Sequence, residues 1–410
     1  MKDYSKTPKS GGYDLIVIGA GSAGFSAAIT AAEADKRVAL VGHGTIGGTC
    51  VNVGCVPSKF MIRAAETQHG ARAASRFPGI KAEASVTDWA ALVQGKRDLV
   101  GTLRQKKYAD LLPLYEGITY MEGAARLEDD GVRVEGALLT APKILIATGG
   151  RPSIAPIPGI EDVETLDSTS LLELDALPAS LTVLGGGYIG AELAQVMARM
   201  GVKVTVICRS RLLPQVEPEV SAALTDAFRA EGIKMECGIT YDACRQDADG
   251  ITICVERDGK PFEITSEKLF VATGRRANTD GMGLEEAGIE LNAQGAIKVG
   301  TDMQTSKPGI YGAGDVTDRD QFVYMAAYGA KVAINNALGL QPMIYDNATM
   351  PWVVFTDPQV AGVGLTEAQA RDAGHEVKTS VLGLENVPRA LAAMDTRGLI
   401  KLVADAETDR

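Results

Sequence analysis

The chain has 410 residues, more than one ordinary core accommodates, so two or three domains are expected. Charged residues make up 23% and hydrophobic residues 46%, a globular balance that disfavours disorder, and no apolar run approaches bilayer length. A formal net charge of −11 argues against a nucleic-acid groove and for small-molecule partners.

The first ten residues are polar and lack the apolar stretch of a secretory signal, so the cytoplasm is the expected location. Tyr13 to Ile18 is a short apolar run that stops at glycine, as a buried parallel strand does. Gly19-Ala-Gly21-Ser22-Ala-Gly24 follows, then the alanine-rich stretch Phe25 to Ala34, which favours helix, and a second apolar run from Arg37 to Val41 completes a β-α-β unit. The same grammar returns at Leu181 to Leu184, Gly185-Gly-Gly187-Tyr-Ile-Gly190, a helix through about Met200, and the strand Lys203 to Ile207. In such units the first glycine allows a tight turn, the second admits a pyrophosphate and the third lets helix and strand pack. The duplication therefore implies two dinucleotides, each facing a helix N-terminus.

Between the units lies Gly47-Gly-Thr49-Cys50-Val-Asn-Val-Gly-Cys55-Val-Pro-Ser-Lys59. Cys-x4-Cys is neither a zinc ribbon nor a thioredoxin spacing, and no second Cys/His pair lies nearby in sequence to finish a metal site. A redox-active pair near a helix start fits better, because the positive helix end stabilises a thiolate. Lys59, four residues past Cys55, falls one helical turn on, on the same face. The other four cysteines, Cys208, Cys237, Cys244 and Cys254, read as small buried hydrophobes in strands.

Ile144 to Gly149 and Leu269 to Gly274 are apolar runs ending in Ala-Thr-Gly on either side of the second glycine motif, and they suggest crossings into and out of an inserted domain. The proline-rich run Pro152 to Pro158 reads as the first hinge. Asp315, after a short strand and glycine turns, is placed to accept from the hydroxyls of a flavin's sugar chain; alternatively it caps the following helix. From residue 347 the character shifts to a third unit, with Val353-Val-Phe and Val360 to Val363 as strands. The expected class is α/β: two Rossmann-like domains, one formed by residues 1–149 plus 275–346 and one by 150–274, with a partial α+β interface domain over 347–410.

With these motifs the sequence resembles the flavoprotein disulfide reductases over essentially its whole length, the block from Gly47 to Lys59 being the most specific part. The resemblance implies that the first glycine unit binds FAD and the second NADPH, with electrons running from NADPH through flavin and disulfide to substrate. It implies that Cys55 makes the charge-transfer contact with flavin while Cys50 faces substrate, and that Glu192 pairs with Lys59. Tyr188 corresponds to the gate over the nicotinamide, although a first-turn helix residue can equally be a packing residue. The FAD set it implies comprises Gly19, Gly21, Ser22, Gly24, Gly44 and Thr49 in the first unit. Lys59, Ala125, Thr148, Gly149, Asp315 and Val323 complete that set.

For NADPH the implied set is Gly185, Gly187, Gly190, Arg209, Arg211 and Gly274. Arginines after Cys208, where an NAD enzyme places an acid, suit the extra phosphate of NADPH; an exposed basic turn is the alternative.

Within the family, Asn386 to Gly398, Gln321-Phe-Val-Tyr324 and the valines Val51 and Val56 resemble the mercuric reductase branch. The resemblance then implies reduction of Hg(II), taken as a thiol complex and held transiently by Cys50 and Cys55, in mercury detoxification by a homodimer. Soft thiolates are suited to soft cations. The alternatives are dihydrolipoamide dehydrogenase or another dithiol reductase, for which His43, His69 and His375 form no recognisable acid-base motif, or an inactive flavin-binding fragment.

Three departures stand out. Val41-Gly42-His43-Gly44 offers no acid for the FAD ribose; the chain has no N-terminal Cys-x-x-Cys carrier domain; and it stops at Arg410, before the family's tail with its tyrosine and cysteine pair, so a truncated chain is expected.

Overall fold

The computed structural model describes residues 12–410, so the polar leader lies outside the described residues. The chain forms two compact units. One holds the chain up to Pro57, Gly95–Ser153 and Arg275–Asp346; the other holds Ser58–Gln94, Ile154–Gly274 and Asn347–Arg410.

The first unit is built on a five-stranded sheet in the spatial order Ile310–Gly312, Ile144–Ile146, Leu15–Ile18, Val38–Gly42, Ile118–Glu122. All four pairings are parallel. Leu15, Ile16, Val17 and Ile18 are all buried, as a parallel strand covered on both faces requires, which is why the sequence shows an apolar run and not alternation. Helix Ser22–Glu33 returns from the first strand to the second and packs on helix Val323–Ala337. Glycine and alanine along its buried face, Ala23, Gly24, Ala27, Ala28 and Ala31, permit the close approach.

The second unit repeats the plan with the strand order Lys234–Cys237, Lys203–Cys208, Ser180–Leu184, Lys268–Val271, Thr165–Leu166, again all parallel. Helix Tyr188–Arg199 connects its first two consecutive strands, and an antiparallel sheet of three strands, Thr240–Asp247, Gly250–Arg257 and Lys260–Ser266, adds a core of Ile251, Ile253, Val255 and Ile264. The last segment contributes the hairpins Trp352–Val354 with Val360–Gly362 and Val377–Gly383 with Leu399–Asp405. Val354 and Val360 join the core of this unit. Among the described residues no helix is long and apolar enough to cross a membrane.

Candidate active site

The two cysteines of the glycine-flanked block stand on successive helices. Gly47 and Gly48 adopt φ of +100° and +68°, a region that side chains rarely enter, and turn the chain into the short helix Gly48–Asn52 carrying Thr49 and half-buried Cys50. A Cβ at Gly54 would crowd the Thr49 carbonyl oxygen at 3.0 Å and Cys50 Cα at 3.3 Å, so glycine lets the next helix start directly behind the first. Helix Cys55–Arg72 begins with exposed Cys55, and Lys59 follows within it. A thiolate in a first helical turn faces unpaired N–H groups and the positive end of the dipole.

Tyr108 belongs to this site, and sequence reasoning missed it. It lies on the π-helical turn Gln105–Ala109, its ring meets Phe25 edge-on at 5.0 Å, and its hydroxyl is 3.2 Å from Ser22 Oγ. Burial pushes its phenol above the ordinary range, the Ser22 hydrogen bond opposes this, and negative charge on Cys50 and Cys55 raises it further. The only sequence signal was an aromatic among lysines in Gln105-Lys-Lys-Tyr-Ala109, which looks like a solvated helix face.

The first glycine loop backs onto the cysteine segment. Gly19 has φ +117°, and a Cβ there would sit 2.2 Å from the Ala147 carbonyl oxygen; one on Gly24 would sit 1.7 Å from that of Gly19. A Cβ on Gly48 would fall 2.7 Å from Gly21 Cα, so the two backbones meet only because neither residue has a side chain. Helix Ser22–Glu33 starts at Gly21 without a side-chain cap, which leaves its first N–H groups for a pyrophosphate. This bare-backbone cradle fits FAD.

The remaining residues of the implied FAD set in this unit are dispersed along the sheet edge and its loops. Thr148 Oγ1 donates to the Asn278 carbonyl at 2.7 Å, and Gly149 turns at φ +71°. Gly44, at φ +81°, has open space where a Cβ would stand; Ala125 opens the strand Ala125–Glu128; and Val323 opens its helix. Asp315 lies 3.4 Å from Arg275 Nε; burial raises its carboxyl above the usual value while the guanidinium pulls it down. At the end of the second strand Gly42 pairs in register with Glu122, so an exposed carboxylate stands on the neighbouring strand where the second strand itself has none.

In the second unit Lys59 Nζ donates to Glu192 Oε2 at 2.7 Å, with the Lys59 side chain 35% exposed and that of Glu192 only 7%. The other carboxylate oxygen accepts from the Phe355 N–H at 2.9 Å, and the ammonium also lies 4.7 Å from the Phe355 ring centre. Both sides of a nearly buried carboxylate are thereby satisfied. Tyr188, first residue of helix Tyr188–Arg199, stacks on Trp352 with ring centres 5.9 Å apart.

The second glycine loop has the same form as the first. Gly185 has φ +118°, and a Cβ would lie 2.4 Å from the Ala272 carbonyl oxygen; the helix starts at Gly187, which has open space beside it and no side-chain cap, and so fits the nicotinamide dinucleotide's pyrophosphate. A Cβ on Gly190 would lie 2.4 Å from the Gly185 carbonyl oxygen, and Gly274, at φ +125°, faces open space. The two arginines differ. Arg209 is exposed, whereas Arg211 Nη2 donates to the carbonyls of Pro214 and Val216 at 2.8 and 2.9 Å and shapes its own loop.

Among the described residues one metal-type group lies apart from the cysteines, His69, Glu231 and Asp357. Arg199 spans Glu231 and Asp357 at 2.6 and 2.8 Å, and Arg397 approaches both at 3.3 Å, so the carboxylates are engaged in an ion-pair network. Burial, aided by Arg199, holds the His69 imidazole below its ordinary value.

The fold and these sites agree with comparisons to known proteins. Residues 13–335 match the family model for pyridine nucleotide-disulphide oxidoreductase, and residues 350–410 match the dimerisation domain of the same family. A mercuric reductase of Streptomyces lividans is 45% identical over 97% of this chain and 85% of its own length. One from Staphylococcus aureus is 44% identical over 98% of this chain and 74% of its own. Among solved structures, the Cu(II) complex of the HOCl-induced flavoprotein disulfide reductase RclA from Escherichia coli superposes with a TM-score of 0.84 at 30% identity, covering 98% of this chain and 88% of that one. The chain belongs to the pyridine nucleotide-disulphide oxidoreductase family and is an oxidoreductase that takes FAD and NADPH.

Proposed function

We propose that this protein reduces Hg(II) to Hg(0), with Cys50 and Cys55 as the dithiol that holds the metal. The observation that carries this reading is a pair of cysteines on abutting helix starts, backed by a bare glycine loop with the Tyr108 ring beside Gly47, in a chain whose curated relatives are mercuric reductases. When bound, FAD relays two electrons from NADPH to this pair. The net change is a mercury dithiolate plus NADPH and one proton giving Hg(0), NADP+ and two thiols.

The chain's own residues then have separate tasks. Cys50 exchanges with the thiol complex of the incoming metal, and Cys55 closes the second metal–sulfur bond. Lys59, oriented by Glu192, supplies positive charge where negative charge accumulates. Tyr188 covers the nicotinamide pocket, and exposed Arg209 faces the extra phosphate of NADPH. Residues 1–149 with 275–346 form the FAD domain in this reading, 150–274 the NADPH domain and 347–410 the interface domain. Matching of residues 350–410 to a dimerisation domain supports a homodimer, as do Val381, Leu391 and Leu402, left 51%, 51% and 65% exposed. The reducing thiols and NADPH of the cytoplasm suit this chemistry.

The test is oxidation of NADPH by the holoenzyme with Hg(II) in excess small thiol, beside parallel assays with lipoamide and with NADH. Mercury-dependent turnover that prefers NADPH is expected. Reduction of lipoamide without reduction of mercury rejects the assignment and favours the dithiol reductase.

A further inference from the structure

A second close pair of cysteines lies in the NADPH unit. Cys208 ends the strand Lys203–Cys208, Cys237 ends the adjacent parallel strand Lys234–Cys237, and the register sets them opposite one another. Paired positions on neighbouring strands project from the same face with backbones about 4.8 Å apart. The register therefore brings both side chains to one face at the end of the sheet.

Their surroundings single them out from ordinary core cysteines. Both stand at the carboxyl edge of a parallel sheet, the edge at which such sheets take ligands. A Cβ at Gly186 would lie 3.2 Å from Cys208 Cβ, so the Cys208 side chain starts against the second glycine loop, with Arg209 next in sequence. Cys208 is 4% exposed and Cys237 half-buried, which leaves one sulfur reachable and one enclosed. Cys237, the reachable sulfur, meets the incoming metal first, and enclosed Cys208 is the second ligand.

We propose that Cys208 and Cys237 form a second dithiol site for a soft, thiophilic cation such as Hg(II), and that filling it beside the Gly186 loop weakens NADPH binding. Two metal–sulfur bonds of about 2.3 Å each span roughly 4.6 Å, within reach of side chains that project from the same face of strands about 4.8 Å apart. Binding breaks two S–H bonds, forms two S–metal bonds, releases two protons and changes no oxidation state. Softness selects the ion, since thiolates prefer soft cations to the hard ions held by oxygen ligands. The effect on NADPH rests on assigning the second glycine unit to that cofactor; uptake of the metal does not.

The experiment uses the FAD-loaded full chain carrying Cys50→Ser and Cys55→Ser, so that the first pair takes up no metal. Hg(II) chloride is titrated without NADPH while ultraviolet sulfur-to-metal absorbance and remaining thiols are read; NADPH affinity is then measured by fluorescence with and without metal. One equivalent per chain, loss of two thiols, and a rise in the NADPH Kd of at least about fivefold, the low end of ordinary site-to-site coupling, are expected. Adding Cys237→Ser or, separately, Cys237→Ala abolishes the two-thiol uptake with the flavin spectrum retained, whereas Cys244→Ser with Cys254→Ser leaves it intact. No uptake in the parent, or uptake that survives loss of Cys237, overturns the site. Uptake with an unchanged NADPH Kd overturns the coupling. Because no turnover is read, this result is independent of whether mercury is the substrate.

Discussion

The two sulfur pairs of this molecule are built in opposite ways. Cys50 and Cys55 are close in sequence and are brought together by glycine turns and two helix starts, whereas Cys208 and Cys237 are distant in sequence and are joined by strand register alone. The first pair has a half-buried and an exposed cysteine beside a glycine loop; the second has a buried and a half-buried cysteine beside another. The difference teaches that a dithiol's task follows from what can reach it.

Substitutions separate these roles, beginning with the largest effect. Cys50→Ser or Cys55→Ser is expected to lower mercury-dependent NADPH oxidation by about a thousandfold or more, as loss of a chemically essential group does. The two differ spectroscopically: reduced Cys55→Ser holoenzyme lacks the long-wavelength absorbance that Cys50→Ser keeps, and an unchanged spectrum in Cys55→Ser rejects the division of labour between the sulfurs. Lys59→Met leaves the Glu192 carboxylate, 7% exposed, without its cation and should destabilise the fold by about 3 kcal/mol in chemical denaturation. Stability equal to that of the parent contradicts a structural contribution from the pair. Arg209→Ala should raise the KM for NADPH about tenfold and leave that for NADH nearly unchanged, the size of one charge-assisted hydrogen bond; equal shifts for both cofactors reduce Arg209 to an exposed basic turn. The smallest effect is expected from Tyr108→Phe, which deletes the hydroxyl 3.2 Å from Ser22 at a cost of about 1 kcal/mol, read as a lower thermal midpoint of the holoenzyme.

What was legible in the sequence is what is local. Apolar runs stopping at glycine marked the strands Leu15–Ile18 and Ser180–Leu184, because both faces of those strands are covered and the glycine turns have no side-chain alternative. The break at Gly54 between a short helix and a long one was not apparent, since Cys50 and Cys55 read as one helix start. Tyr108 escaped because its ties to Phe25, Ser22 and the cysteines are all tertiary. The four scattered cysteines do lie in strands, yet only two are buried, and the link between Cys208 and Cys237 depends on a register that composition and periodicity do not carry. Arg209 and Arg211 look equivalent in sequence, and the carbonyls of Pro214 and Val216 make them different.

The most direct measurement is a single anaerobic turnover. Holoenzyme with Cys50 and Cys55 already reduced to thiols is loaded with one equivalent of Hg(II) as a thiol complex and then mixed with one equivalent of NADPH, and volatile Hg(0) is collected. Passage of electrons through Cys50 and Cys55 predicts close to one Hg(0) per NADPH, lost in either serine variant. Oxidation of NADPH with mercury left divalent, or undiminished Hg(0) from the Cys50→Ser and Cys55→Ser chains, contradicts it.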